Sequence, residues 1–192
     1  MNKETIKDFF DVFAPRWDNE PIADKEIIDT ILDNVGVCEN KNVLDVGCGT
    51  GVLFPYYIER GVNSITAVDL SSEMIKLAKS KFPQVNVICG DAEELSFDTT
   101  FDCIMVYNAF PHFPNPQRLI ENLSQHLNAG GRLTVAHGMS KEELDEVHQK
   151  SAGKVSNMLP ECDELAEMLK PHFDINIMIS NDIMYQVVGT KK

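Results

Sequence analysis

Long hydrophobic runs are missing from this chain of 192 residues. No apolar stretch approaches the ~18 residues that a membrane-crossing helix needs. Residues 1–8 have neither the apolar core nor the cleavage pattern of a secretory leader, so a cytoplasmic protein is expected. Basic residues are also scarce: 17 Lys+Arg against 30 Asp+Glu leave a net charge of −13. A surface that negative repels phosphate backbones and anionic headgroups, so neither nucleic acid nor membrane is an expected partner. Paired cysteines are lacking too. Cys38, Cys48, Cys89, Cys103 and Cys162 are odd in number and contain no C-x-x-C, which favours buried, reduced thiols over a disulfide framework or a zinc site. The five histidines show no H-x-x-x-H spacing, so no metal is expected. Internal repeats, linkers and low-complexity tracts are absent.

What remains is an ordinary globular composition, 43% hydrophobic and 24% charged, in a chain long enough to bury a core unaided. Strand-like and helix-like segments alternate along it. Val43-Leu44-Asp45-Val46, Ile65-Thr66-Ala67-Val68-Asp69, Val85-Asn86-Val87-Ile88, Cys103-Ile104-Met105-Val106-Tyr107 and Leu133-Thr134-Val135-Ala136 read as strands. Ser71-Ser72-Glu73 opens a helix carrying Met74, Ile75, Leu77 and Ala78. Leu119, Leu123 and Leu127 mark one face of another, which Asn128-Ala129-Gly130-Gly131 is expected to end. Strands separated by helices predict a doubly wound α/β fold with a mostly parallel sheet. Near the end, Ile175, Ile177 and Ile179 alternate, Asn181-Asp182 supplies a turn, and residues 184–188 return at once. Two residues suffice for a hairpin but not for a parallel crossover, so one antiparallel strand is expected there.

The most informative segment is Val43-Leu44-Asp45-Val46-Gly47-Cys48-Gly49-Thr50-Gly51, a strand running into a glycine-rich turn. Glycines there let a ligand approach main-chain N–H groups. The dinucleotide fingerprint G-x-G-x-x-G requires glycine at residue 52, which is Val52. A nicotinamide-dependent oxidoreductase is therefore disfavoured. Asp69 follows Gly47 by 22 residues, close to the ~20-residue offset at which a carboxylate meets ribose hydroxyls.

Residues 43–51, Ala67-Val68-Asp69-Leu70-Ser71, Gly90-Asp91-Ala92 and Phe101-Asp102 resemble the successive motifs of the class I S-adenosylmethionine-dependent methyltransferases. The resemblance covers roughly residues 40–137. It implies a Rossmann-like seven-stranded sheet whose last strand is antiparallel, with an N-terminal helical cap. It also implies S-adenosyl-L-methionine as cofactor. Asp45, Gly47, Cys48, Gly49 and Thr50 would hold its methionine part and Asp69 its ribose. Leu70 and Met74 would flank the adenine, Asp91-Ala92 would meet its amine, and Asn108 would sit beside the sulfonium. A single domain over residues 1–192 is expected: a cap over 1–40, a cofactor core over 41–137, and substrate-side helices with the hairpin over 138–192. Residues 10–18 resemble the cap of small-molecule methyltransferases, read either as a helix stapled to the core or as a lid with Arg16 or Trp17 at the mouth.

In open α/β sheets ligands bind beyond the carboxyl ends of the strands, so Gly47, Asp69, Asp91, Asn108 and His137 converge on one cleft, with Ser180, Asn181 and Asp182 expected on the same side. The catalytic candidates are His137 foremost, then His148, His112, Tyr185 and Asp182. Ser140 with Glu143 forms a capping box for a helix on which His148 shares a face with Leu144. His126 and His172 read as structural. Asn108-Ala109-Phe110-Pro111 lacks the Asn/Asp-Pro-Pro-aromatic string of nucleobase and glutamine amine methyltransferases, so the expected partner is a small-molecule acceptor. The alternative is a cofactor-binding regulator or pseudoenzyme of the same fold.

Overall fold

The computed structural model describes residues 1–19 and 23–192. Seven strands form one sheet: β1 (Asn42–Val46), β2 (Ser64–Asp69), β3 (Asn86–Cys89), β4 (Phe101–Tyr107), β5 (Leu127–His137), β6 (Phe173–Ser180) and β7 (Tyr185–Lys191). Their spatial order is β3-β2-β1-β4-β5-β7-β6. Strands β3, β2, β1, β4 and β5 run parallel to one another, and β7 runs antiparallel to both β5 and β6. This is the Rossmann-like sheet, with one antiparallel strand, that the alternating pattern and the hairpin predicted. The hairpin turn is set by Asn181, whose side-chain oxygen accepts from the backbone N–H groups of Ile183 and Met184.

Helices cover both faces because the central strands are apolar on both. On one face Val43, Cys103 and Met105 pack against α2 (Lys25–Val35), α3 (Phe54–Glu59) and α4 (Ser72–Lys81). On the other, Leu44, Val46, Ile104 and Val106 pack against α5 (Pro116–Gln125), α6 (Lys141–Val147) and α7 (Cys162–Leu169). Period-two alternation along β4 thus serves two cores at once.

One boundary differs from the sequence reading. Helix α5 stops at Gln125, and Leu127 belongs to β5, paired with Phe101. The Phe101 N–H donates to the His126 carbonyl at 2.8 Å, so the ladder starts before the glycines. Residues 128–131 then bulge out before Arg132 pairs with Cys103. The thiols also depart from expectation: all five are free, but Cys38 and Cys89 are exposed and Cys162 is half-buried.

The N-terminal helix α1 (Lys3–Trp17) begins well before residue 10, capped by Asn2, whose side chain accepts from the Glu4 N–H. It lies across the carboxyl ends of β1–β3, packed on α4. No helix among the described residues is long and apolar enough to cross a membrane.

Candidate cofactor and acceptor site

Strand β1 ends in a turn that only glycine fits. Gly47 has φ +72°, and a Cβ there would lie 2.5 Å from the Ala109 Cβ. Gly49, at φ +53°, faces the Trp17 indole. The backbone can therefore come to the surface of the cleft, while its N–H groups are held within the protein, those of Gly47 and Cys48 by the Val68 carbonyl and that of Gly49 by Asp69.

At the end of β2, Asp69 accepts from the backbone N–H of Gly49 at 2.9 Å and of Ser71 at 2.8 Å. Its carboxylate thereby ties the glycine turn to the start of α4. Burial raises its pKa against the pull of these two donors; it is enclosed by protein except where it opens to the cleft. Beyond β3, Asp91 is held by Lys3 and by the Glu93 N–H.

Asn108 follows β4 in a left-handed conformation, φ +51°, rare for a side chain other than glycine. It is kept there by its N–H, which donates to the Ala136 carbonyl, and by its side-chain oxygen, which accepts from Gly138 N–H. Strained residues held by neighbours on two sides are a mark of functional sites.

Two pockets meet along this line. The first holds about 660 Å³ of open space. Its walls include Asp69, Leu70, Met74, Asp91, Ala92 and His112. The second, of about 970 Å³, is walled by Cys48, Thr50, Tyr107 and Lys81 among others. Trp17, Gly47, Gly49 and Asn108 line both, so the two form one trough.

Of the cofactor residues expected from sequence, Gly47, Cys48, Gly49, Thr50, Asp69, Leu70, Met74, Asp91, Ala92 and Asn108 all line the trough. Asp45 does not. It is buried beneath the turn beside the Tyr57 hydroxyl, and burial raises its carboxyl to about 7. The sequence reading missed Lys3, Ile6, Phe113 and Pro114. A signal existed for two of them: Lys3, Ile6, Phe10 and Trp17 recur at helical spacing on one face of α1. Arg16 points away, over the Phe13 ring.

The catalytic candidates fare unevenly. His137, expected at the cleft, is 0% exposed, and neither ring nitrogen has a hydrogen-bond partner among the described residues. It ends β5 at the correct level of the sheet, but its side chain is covered by later elements. Burial lowers its pKa to about 3. His148 is buried too, at the start of a single π-helical turn (His148–Ala152) that continues α6. Tyr185 is fully buried and donates to the Pro160 carbonyl. Ser180, Asn181 and Asp182 are exposed and line neither pocket. Their hairpin is on the expected side of the sheet but at its far edge. His126 packs on Phe97 and His172 on Phe173, as structural residues do. His112 alone of the five candidates lines the trough. Among the described residues no group of three or more His, Cys, Asp or Glu is placed to hold a metal ion.

A methyltransferase-domain family model matches residues 43–131, the segment that builds the trough. Across 96% of its length the chain is 29% identical to the malonyl-[acyl-carrier protein] O-methyltransferase of Priestia megaterium, covering 76% of that protein. Half of the chain is 38% identical to the ubiquinone biosynthesis O-methyltransferase of Coxiella burnetii, covering 42% of it. The chain belongs to the class I S-adenosylmethionine-dependent methyltransferases. Solved structures share its fold. The complex between the Haloferax volcanii Trm112 methyltransferase activator and a methyltransferase matches with TM-score 0.81 at 18% identity, over 97% of each chain. The N-methyltransferase NodS of Bradyrhizobium japonicum, solved with S-adenosyl-L-homocysteine, matches with TM-score 0.67 at 15% identity, over 87% of this chain and 86% of that one.

The residues present fit the family's cofactor. The glycine turn is a cradle that a Cβ would fill, and Asp69 offers a carboxylate at the floor of the first pocket. The sulfonium supplies an activated methyl group when bound.

Proposed function

We propose that this methyltransferase moves the methyl group of S-adenosylmethionine to a small-molecule acceptor in the cytoplasm. The observation that carries this reading is the trough itself, closed over by α1 and continuous from Asp69 past Asn108 to His112. In this reading Asp69 takes the ribose hydroxyls, Leu70 and Met74 sandwich the adenine, and Asp91 with Ala92 meets its edge. Gly47, Cys48, Gly49, Thr50 and Asn108 hold the methionine side, with Asp45 supporting the turn from below. Methyl transfer by in-line displacement needs chiefly alignment in a desolvated site, which a roofed trough supplies. The O-methyltransferases among the relatives act on malonyl-[acyl-carrier protein] and in ubiquinone biosynthesis, in line with a non-polymeric acceptor group.

The test is a transfer screen with methyl-labelled cofactor across phenols, quinols, thiols, carboxylic acids and amines. Labelled product from at least one class supports the reading. Tight S-adenosylhomocysteine binding with no transfer to any class would favour the regulator reading instead.

A further inference from the structure

His112 sits in a short 3₁₀ turn (Phe110–His112) just after Asn108. Its Nδ1 lies 2.9 Å from the Val155 carbonyl and 3.1 Å from the Ser156 hydroxyl. A carbonyl can only accept, so Nδ1 carries the proton and Nε2 carries the lone pair. The ring is half-buried in the pocket wall, edge-on to Phe10 at 4.9 Å and 5.1 Å from the His148 ring. Val155 is itself fixed: with Ala152 it packs on Ile6, beside Phe9, Phe10 and Leu70, so α1 and the π-turn segment form one apolar roof.

The surroundings select the acceptor. The wall around His112 is Phe10, Ala109, Phe113 and Pro114, aromatic and uncharged. The carboxylates that reach the pocket are engaged: Asp69 by two backbone N–H groups, Asp91 by Lys3 and a backbone N–H. Both lie at the end of the pocket assigned above to ribose and adenine, and Lys3 there is paired with Asp91 and Glu93. A neutral aromatic ring bearing a hydroxyl matches both the apolar wall and a lone-pair acceptor.

We propose that His112 is the general base of this site and that its Nε2 receives the proton of an aromatic hydroxyl acceptor. The inference rests on the methyltransferase reading above. As the acceptor's oxygen lone pair forms the new C–O bond, its O–H bond breaks toward Nε2. The electron pair of the departing C–S bond stays on sulfur, and the proton then passes from Nε2 to solvent. Burial, aided by His148, lowers the His112 pKa to about 4, which keeps the ring neutral at working pH. A base that weak suffices because the proton becomes strongly acidic only while the oxygen is being alkylated. A neutral ring also avoids placing a second positive charge near the sulfonium.

His112→Asn tests this, because the shorter amide can still donate to the Val155 carbonyl while Nε2 is removed. The probes are catechol, whose hydroxyl is protonated at pH 8, and 4-nitrophenol, which is ionised there. The expected result is a fall in transfer to catechol of about 10²–10⁴-fold. Transfer to 4-nitrophenolate should change by less than ~5-fold and S-adenosylhomocysteine affinity by less than ~3-fold, because neither needs the base. His112→Gln, which spans the ring without supplying a base, should behave alike if the Asn variant does not fold. Independently of turnover, ¹⁵N imidazole spectra of the wild-type protein saturated with S-adenosylhomocysteine should show His112 protonated at Nδ1, with Nε2 shifting as catechol is added. Equal losses on both phenols, no loss on either, or an Nε2-protonated ring would overturn the proposal. So would wild-type transfer to neither phenol in a protein that binds the cofactor. A wild-type protein that binds no cofactor would overturn the methyltransferase reading itself.

Discussion

Lys3 and Glu93, ninety residues apart in sequence, form an ion pair of 2.7 Å that pins the first turn of α1 to the far side of the cofactor trough. The Glu93 side chain is 2% exposed, and its second oxygen accepts from the Asn115 N–H. Lys3 also contacts Asp91 and Glu94, so a single ammonium holds the roof against three carboxylates in the segment after β3. At the other end Asp18 accepts from Thr50 and from Lys81, and Trp17 lies against Gly49. The cap is thus fastened at both ends, which joins the two readings of it, a stapled helix and a lid.

Lys3→Met should therefore leave Glu93 buried without its cation. A loss of about 1–3 kcal/mol is expected, below the full range for buried pairs because Lys3 is partly solvated. Urea unfolding measures it, and Lys3→Met combined with Glu93→Gln should recover most of the loss. A double variant as unstable as the single one would show that packing of α1, not the charge, is responsible.

Asp69→Ala should weaken S-adenosylhomocysteine binding by ~1–3 kcal/mol through loss of charge-assisted hydrogen bonds. It should also lower the melting temperature, because the Gly49 and Ser71 N–H groups lose their acceptor. Asp69→Asn keeps one acceptor oxygen but sets an amide N–H against the other backbone donor, so it should restore only part of the stability and not the affinity. Calorimetric titration together with thermal melts separates the two effects.

Gly47→Ala should be far worse tolerated than Gly49→Ala. Both need positive φ, but at Gly47 the new Cβ would be 2.5 Å from Ala109, a short side chain set by β4 that has nowhere to go. At Gly49 the neighbour is the Trp17 indole, 3.2 Å away at the end of α1, which can shift. We expect a cost of more than ~2 kcal/mol at Gly47 and about 1–2 at Gly49, the ordinary backbone strain. Similar melting temperatures for both variants would contradict this.

Acid lability should follow from the buried histidines. His137 and His112 have folded-state pKa values lowered to about 3 and about 4, mainly by burial, against ~6.5 in the unfolded chain. Below pH ~6.5 the unfolded state binds more protons, so stability falls as pH drops and levels off only below the folded values. Asp45 acts in the opposite sense. Its carboxyl is raised to about 7 from 3.8, so its contribution is complete below 3.8 and is lost as pH rises through 7. His137→Leu should remove one acid-labile group and gain ~1–2 kcal/mol relative to wild type at pH 5, with less gain at pH 8. Denaturant midpoints at the two pH values give the comparison.

Much of the candidate cofactor site was legible because it is local. The strand, the glycine turn and Asp69 sit within 27 residues, from Val43 to Asp69, and each follows from short-range chemistry: β-branched runs, positive φ, a carboxylate at a strand end. The parallel sheet and its antiparallel hairpin were readable for the same reason, since spacing and turn length limit how consecutive strands can pair. Which histidine meets the trough was not local. His137 and His112 both follow strands at the carboxyl side of the sheet, and no sequence pattern ranks one above the other. The tertiary structure ranks them through elements far along the chain. Tyr185 packs on His137, which is fully buried, whereas the Val155 carbonyl holds His112 in the pocket wall. Lys3 shows the same division: its helical register was visible in the sequence, but its carboxylate partners came from the loop after β3. Backbone conformation and strand order answer to neighbours a few residues away, while burial of a side chain depends on what the rest of the chain lays across it.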